Sequence, residues 1–273
     1  MKIKTKQKII ILVTAVLLLG GCAGCSGDMQ EETGMSESGA NIQAIVDLEG
    51  KCIGTQIGST GVIYAKNIKD AQVQSFTKSS AAVKALKEHK IDAVIIDSET
   101  AKALTEDDEH CKILSQSFME EEYSIAYSKN NTELGNKIDN ALVTLQNNGT
   151  LDEITKHWIG ENADQLSYQP DNSLKRNGTI TMATNAEFPP YESTTTDGKI
   201  VGVDVDIMMA VCDQLKMELN IRDMQFDSIL PAVQTGKADV GVAGISVTPE
   251  REQQVSFTQS YAASKLVIIV RNE

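Results

Sequence analysis

The chain has 273 residues, with 25 Lys and Arg against 38 Asp and Glu and a formal net charge of -13 at pH 7. So large an acidic excess argues against nucleic acid as a partner. Three scattered histidines, and five cysteines of which only Cys22 and Cys25 are spaced as a pair, argue against a structural metal site, and no cofactor is expected.

The first expected element is a signal peptide for export at 1–21. Lys2, Lys4, Lys6 and Lys8 precede an apolar run from Ile9 to Leu19, which is too short to span a bilayer as a permanent helix. The run ends in Leu19-Gly20-Gly21-Cys22, which resembles a bacterial lipobox, where lipid is attached to the Cys22 sulfur and the chain is cleaved before it. An uncleaved anchor helix is the alternative. Either reading puts the folded part on the extracytoplasmic face of the cell membrane. Residues 22–45, largely small, polar and acidic, read as a flexible tether.

Two pairs of segments then echo each other. Ala85 to Asp97 and Ala232 to Gly244 each read as a helix end, a tight turn and a buried strand. Gly50 to Thr60 and Gly178 to Phe188 each read as a short strand running into a loop. Thr132 is expected to cap a helix whose apolar positions Leu134, Ile138, Leu142 and Leu145 recur at spacings of four and three, ending at Asn148-Gly149. A further helix carries Leu151, Ile154 and Trp158 on one face, and the polar stretch from Glu161 to Lys175 reads as a connecting loop. Asp204 is expected to cap a helix that buries Ile207, Val211 and Leu215, and Phe226 to Val233 forms a short helix ahead of a strand from Asp239 to Ala243. Strands alternating with helices imply an α/β fold with mainly parallel sheets flanked by helices. An oxidising exterior would permit a disulfide between Cys52 and Cys111, but their spacing does not demand one, and free thiols are the simpler reading.

Open parallel α/β sheets bind ligands past the carboxyl ends of their strands. There, Thr248-Pro249-Glu250 opens a helix with proline at its first position and places Arg251 beside unpaired backbone N–H groups, where a guanidinium can grip a carboxylate. A solvated surface arginine is the alternative. Asp97 ends an apolar strand, where it can neutralise an ammonium group or merely cap the next helix. The turn Gly58-Ser59-Thr60-Gly61 can offer N–H and hydroxyl donors to an anion, but it lacks the lysine of a phosphate loop. Phe188 and Phe226 fall at strand-to-helix junctions, as core or as ligand-stacking rings. No Ser-His-Asp order, paired catalytic carboxylates or zinc helix motif is present, so no enzyme is expected.

Five motifs together carry a family resemblance: Ala186-Glu-Phe-Pro-Pro-Tyr-Glu192, Val201-Gly-Val-Asp-Val-Asp206, Phe226-Asp-Ser-Ile-Leu-Pro231, Gly244-Ile-Ser-Val-Thr-Pro-Glu-Arg251 and Gly149-Thr-Leu-Asp-Glu-Ile-Thr-Lys-His-Trp158. From Val46 to Arg271 the chain resembles the polar amino-acid solute-binding proteins of ABC importers, which are two-lobed, periplasmic-binding-protein-like clamshells. The resemblance implies a small lobe at 46–120 and a large lobe at 121–273, with a linking loop at 161–177. Their order is circularly permuted, since Gly50 to Gly61 resembles the start of a second lobe and Thr181 to Tyr191 the start of a first. That order is expected to cut a hinge strand, leaving only the stretch near Glu120 to Ile125 to cross between lobes.

Residue by residue, the resemblance implies that Arg251 grips the α-carboxylate of a ligand, helped by Ser246 and, across the cleft, by Thr60. Asp97 would hold the α-ammonium together with the carbonyl of Gly244. Phe188 and Phe226 would sandwich the ligand side chain, and Asn185, Glu187 and Gln56 would tune selectivity. Gln56 departs from relatives that place a cation or an apolar group there. The implied function is a lipid-anchored receptor that passes a free amino acid, glutamine-like or basic, to an ABC transporter permease. Alternatives are a clamshell dehydratase using Glu187 as its acid, a sensory or interaction module, and a truncated gene product.

Overall fold

The computed structural model describes residues 42–106, 108–160 and 162–272. The signal peptide, the Cys22 lipid site, Cys25 and the tether up to residue 41 lie outside them.

The first half builds a parallel set from β1 (Cys52–Gln56), β2 (Gln72–Phe76) and β3 (Ala93–Asp97), ordered β2-β1-β3, with α1 (Thr60–Ala65), α2 (Ser79–Lys87) and α3 (Ser98–Thr105) after the three strands in turn. β3 is buried at every position, as an unbroken apolar run requires, whereas every residue of β2 at the sheet edge is exposed or half-buried. β4 (Cys111–Ile113) follows. Cys52, Cys111 and Cys212 are free thiols.

The second half starts at β5 (Met119–Tyr127) and continues through α4 (Thr132–Asn147), α5 (Thr150–Trp158) and β6 (Thr179–Thr184). A small antiparallel sheet of β7 (Glu187–Phe188), β8 (Glu192–Thr194) and β9 (Ile200–Val201) precedes α6 (Val203–Leu215). Then come β10 (Glu218–Asp223), α7 (Phe226–Gln234), β11 (Val240–Gly241), α8 (Pro249–Glu252) and β12 (Ser256–Arg271). β6 pairs in parallel with β10 on one side and β11 on the other. Ile138, Leu142 and Leu145 of α4, Leu151, Ile154 and Trp158 of α5, and Ile207 and Val211 of α6 meet in one buried cluster with Ile180 and Met182. Each such large side chain contributes about 1.5–3 kcal/mol on burial. Among the described residues, no helix is long and apolar enough to cross a membrane.

Two expected caps move. Asn131, not Thr132, caps α4, its side chain accepting from the Leu134 N–H at 3.3 Å, because the residue just before the first helical one is placed to reach that donor. Gly202, not Asp204, precedes α6, and Asp204 sits inside the first turn, fully buried. The strand expected at Asp239 to Ala243 is shorter, Val240–Gly241, because the chain bends at Gly244 with φ 54°. The polar stretch after α5 carries no regular element over its described residues, yet it is tied down. Asp206 accepts from Trp158 Nε1 at 2.7 Å and the Tyr168 N–H at 2.8 Å, and Asp213 accepts from Tyr168 Oη and the Asp171 N–H and pairs with Arg176.

The expectation of a single crossing between lobes is corrected. β12 runs antiparallel to β5 from Ser256 to Leu266, then continues into the first half, where Leu266 to Val270 pair with β3 and Ile269 to Arg271 pair with β4. Nine strands thus form one sheet, ordered β10-β6-β11-β5-β12-β3-β1-β2, with β4 branching from β12. The reason lies in Leu266-Val-Ile-Ile-Val270, five consecutive buried residues that need cover on both faces. Ile42, ahead of β1, belongs to one buried cluster with Leu266, Ile268 and Val270 of β12.

Candidate ligand-binding site

The carboxyl ends of β1 and β3 from one lobe face β6, β11 and the start of α8 from the other. Between them lies a small cavity of about 40 Å³, room for a few water molecules. It is lined by Gln56, Thr60, Asp97, Phe188, Phe226, Gly244, Ser246 and Arg251, eight of the ten residues singled out from the sequence. Asn185 and Glu187 are not brought into it. Asn185 accepts from Gln56 Nε2 at 2.8 Å and donates to the Met224 carbonyl at 2.9 Å, and Glu187 pairs with Lys78 at 2.5 Å. These two residues span from lobe to lobe. Glu187, the acid a dehydratase would need, is thus held by Lys78 and does not line the cavity.

Arg251 is buried, which rules out the surface reading. Its backbone N–H is held by the Thr248 hydroxyl at 3.2 Å, so the cap of α8 fixes where the side chain departs. The guanidinium donates to the Ser246 carbonyl at 2.6 Å and, across the cleft, to the Gly58 carbonyl at 3.0 Å, and lies 5.6 Å from the Phe226 ring centroid. Two of its five N–H donors are thereby used. Burial draws its pKa down, opposed first by Glu121, and it stays charged.

Asp97 takes the capping role that its sequence position allowed. Oδ1 caps α3, accepting from the Glu99 and Thr100 N–H groups at 2.9 and 2.8 Å. Oδ2 accepts from the Tyr123 hydroxyl at 2.9 Å and from the Ser264 hydroxyl. Burial pushes this carboxyl up, and the Ser264, Thr100, Tyr123 and Glu99 hydrogen bonds oppose that.

Phe188 stacks on Tyr191 at 5.2 Å and 20°, and Tyr191 meets Tyr123 edge-on at 5.2 Å. Gly244 must be glycine here, since a Cβ would sit 2.6 Å from the Phe188 ring on a backbone already at positive φ. Beneath it, Asp204 accepts the Gly244 N–H and the Tyr261 hydroxyl, each at 2.8 Å. Burial pushes Asp204 up to about 6, and burial together with the neighbouring Asp204 pushes Glu192 well above the usual carboxylate range.

The chain matches the family model for bacterial extracellular solute-binding proteins, family 3, over residues 35–161 and 180–273. It belongs to that family. Relatives of this solute-binding protein include ABC transporter arginine-binding protein 1 of Escherichia coli, 36 % identical over 94 residues that cover 34 % of this chain and 39 % of that protein. A probable histidine-binding protein of Neisseria gonorrhoeae is 34 % identical over 89 residues, covering 33 % of each. Among solved structures, an ancestral arginine-binding protein bound to glutamine is 41 % identical over 29 % of this chain and 35 % of its own, with a TM-score of 0.28. The matched stretches thus span about two-fifths or less of these relatives' lengths. Membership places the chain among bacterial extracellular solute-binding proteins.

Sequence reasoning missed Tyr123 and Glu121 on β5, Ser79, and Ser264 on β12. Ser79 and Glu121 line the cavity with Tyr123, and Ser264 supports Asp97 from outside it. The alternation of β5 offered a signal for Tyr123, but nothing local distinguishes the buried Glu121 from its exposed neighbours Glu120 and Glu122.

Proposed function

We propose that this solute-binding protein holds a free amino acid, basic or glutamine-like, in the inter-lobe cavity and delivers it to the permease of an ABC transporter. One observation carries the reading: a buried guanidinium, Arg251, and a buried carboxyl, Asp97, line the same cavity and complement the two charged ends of an amino acid. The remaining eight residues take the parts implied by the family resemblance, with Asn185 and Glu187 acting on lobe closure. The names of the relatives, arginine- and histidine-binding, favour a basic side chain. Lipid on Cys22 would hold the protein at the membrane. A melting screen against the twenty amino acids should show one or a few ligands raising the transition, as a ligand confined to the folded state must. Asp97→Ala should erase that rise, and a screen without any response would sink the reading.

The permuted lobe order is part of the same proposal. Ile42 and Val270 belong to one buried cluster with Ile53 of β1, which supports it, because the segment ahead of β1 and the far end of β12 then lie in the same part of the fold. A reordered chain running from 180–272 through a short linker into 42–160 should fold and bind the same amino acid, with calorimetric affinity within about threefold, since a connection changes little when its ends are close. An insoluble or non-binding product would refute the permutation.

A further inference from the structure

Glu121 lies on β5 where that strand passes between the lobes, opposite Ser264 of β12, and is only 8 % exposed. It lines the cavity shared by Arg251 and Asp97, and its carboxyl is within reach of the Thr60 and Ser246 hydroxyls. Those are the two hydroxyls assigned above to the carboxylate of the ligand. Glu121 Oε1 is buried with no hydrogen-bond partner. The ionisable groups that face it come from four elements: Arg251 of α8, Asp97 at the end of β3, Tyr64 of α1, and Tyr123 farther along β5.

We propose that Glu121 sets the affinity of the cleft: in the empty protein its carboxyl takes the Thr60 and Ser246 hydroxyls that a ligand carboxylate needs, and it gains a proton when the ligand binds. This rests on the amino-acid reading above. Two carboxylates sharing one pair of donors disfavour each other's charge, so one of them protonates. The ligand carboxylate has Arg251 beside it and stays ionised. Glu121 takes its proton from solvent onto the unpartnered oxygen, becomes a donor, and frees both hydroxyls to turn to the ligand. Burial already pushes Glu121 up, with Thr60, Ser246 and Arg251 opposing, so the ligand drives it further in the direction it leans. Affinity must then fall as pH rises through the window between the free and the bound pKa, by up to about tenfold per pH unit.

The test is calorimetric titration of arginine and of glutamine into the full chain at about pH 6 and about pH 8, in two buffers of different ionisation heat. The wild type should take up a proton and bind more weakly at the higher pH. Glu121→Gln, which keeps the shape and cannot titrate, should bind about tenfold more tightly at the higher pH, with no proton uptake and a flat profile. Should that variant fail to fold, Glu121→Asp draws the carboxyl back from the hydroxyls and should show reduced uptake. Unchanged uptake and pH profile in the folded variant would overturn the role of Glu121 while leaving the amino-acid reading intact. Absence of binding by the wild type and both variants, across all twenty amino acids, would overturn the amino-acid reading and this inference with it.

Discussion

Arg251→Ala is expected to weaken amino-acid binding by on the order of a hundredfold to a thousandfold, the cost of about 3–4 kcal/mol that follows loss of a buried partner to a ligand charge. The guanidinium is held by the Ser246 carbonyl, the Gly58 carbonyl and the Phe226 face, so it lines the cavity in a fixed position. Arg251→Lys should recover little of the loss, because an ammonium cannot serve two carbonyls and a carboxylate in the plane of a fork. Titration calorimetry reads both variants. Full affinity in Arg251→Lys would show that charge alone, without the fork, suffices and that the assigned geometry is wrong.

The second large effect is on stability. Asp204→Ala removes the acceptor of the half-buried Gly244 N–H and of the buried Tyr261 hydroxyl, and each orphaned donor costs about 1–3 kcal/mol. A loss of roughly 3 kcal/mol or more in denaturant unfolding follows. The same site gives a pH dependence of definite sign. Burial raises both Asp204, to about 6, and Glu192, so the folded chain keeps protons that the unfolded chain releases above the ordinary carboxylate range. Their contribution therefore disfavours the fold increasingly as pH rises through about 6. Glu192→Gln, which keeps the shape but does not titrate, should flatten that slope and be more stable than the wild type at alkaline pH. A variant with the wild-type slope would show that the carboxyl pair is not its source.

Helices were the most legible part of the sequence. The spacing of Leu134, Ile138, Leu142 and Leu145 found α4, and that of Leu151, Ile154 and Trp158 found α5, since an amphipathic stripe records its own packing face. Arg251 was legible because Pro249 marks a helix start. Contacts made between distant segments were not. Ser264 reaches Asp97 across 167 positions and Tyr123 across 26, and no local pattern encodes either. Glu121 was hidden by company, as a buried acid inside a run of three glutamates reads as a solvated face. Asp204 was mistaken for a cap because its residue type suits that task, while its actual partners, Gly244 and Tyr261, lie 40 and 57 positions away. The far end of β12 could have been placed, since Leu266 to Val270 is too apolar to end at a lobe boundary.

β12 gives one of its stretches to each lobe, and this ties their fates together. Clamshell lobes joined by flexible connections could melt one at a time, each at its own temperature. Here the first lobe would be left with its β3–β12–β4 seam open if β12 peeled away, and the second would lose the strand that covers β5. The two lobes should therefore unfold as a single cooperative unit.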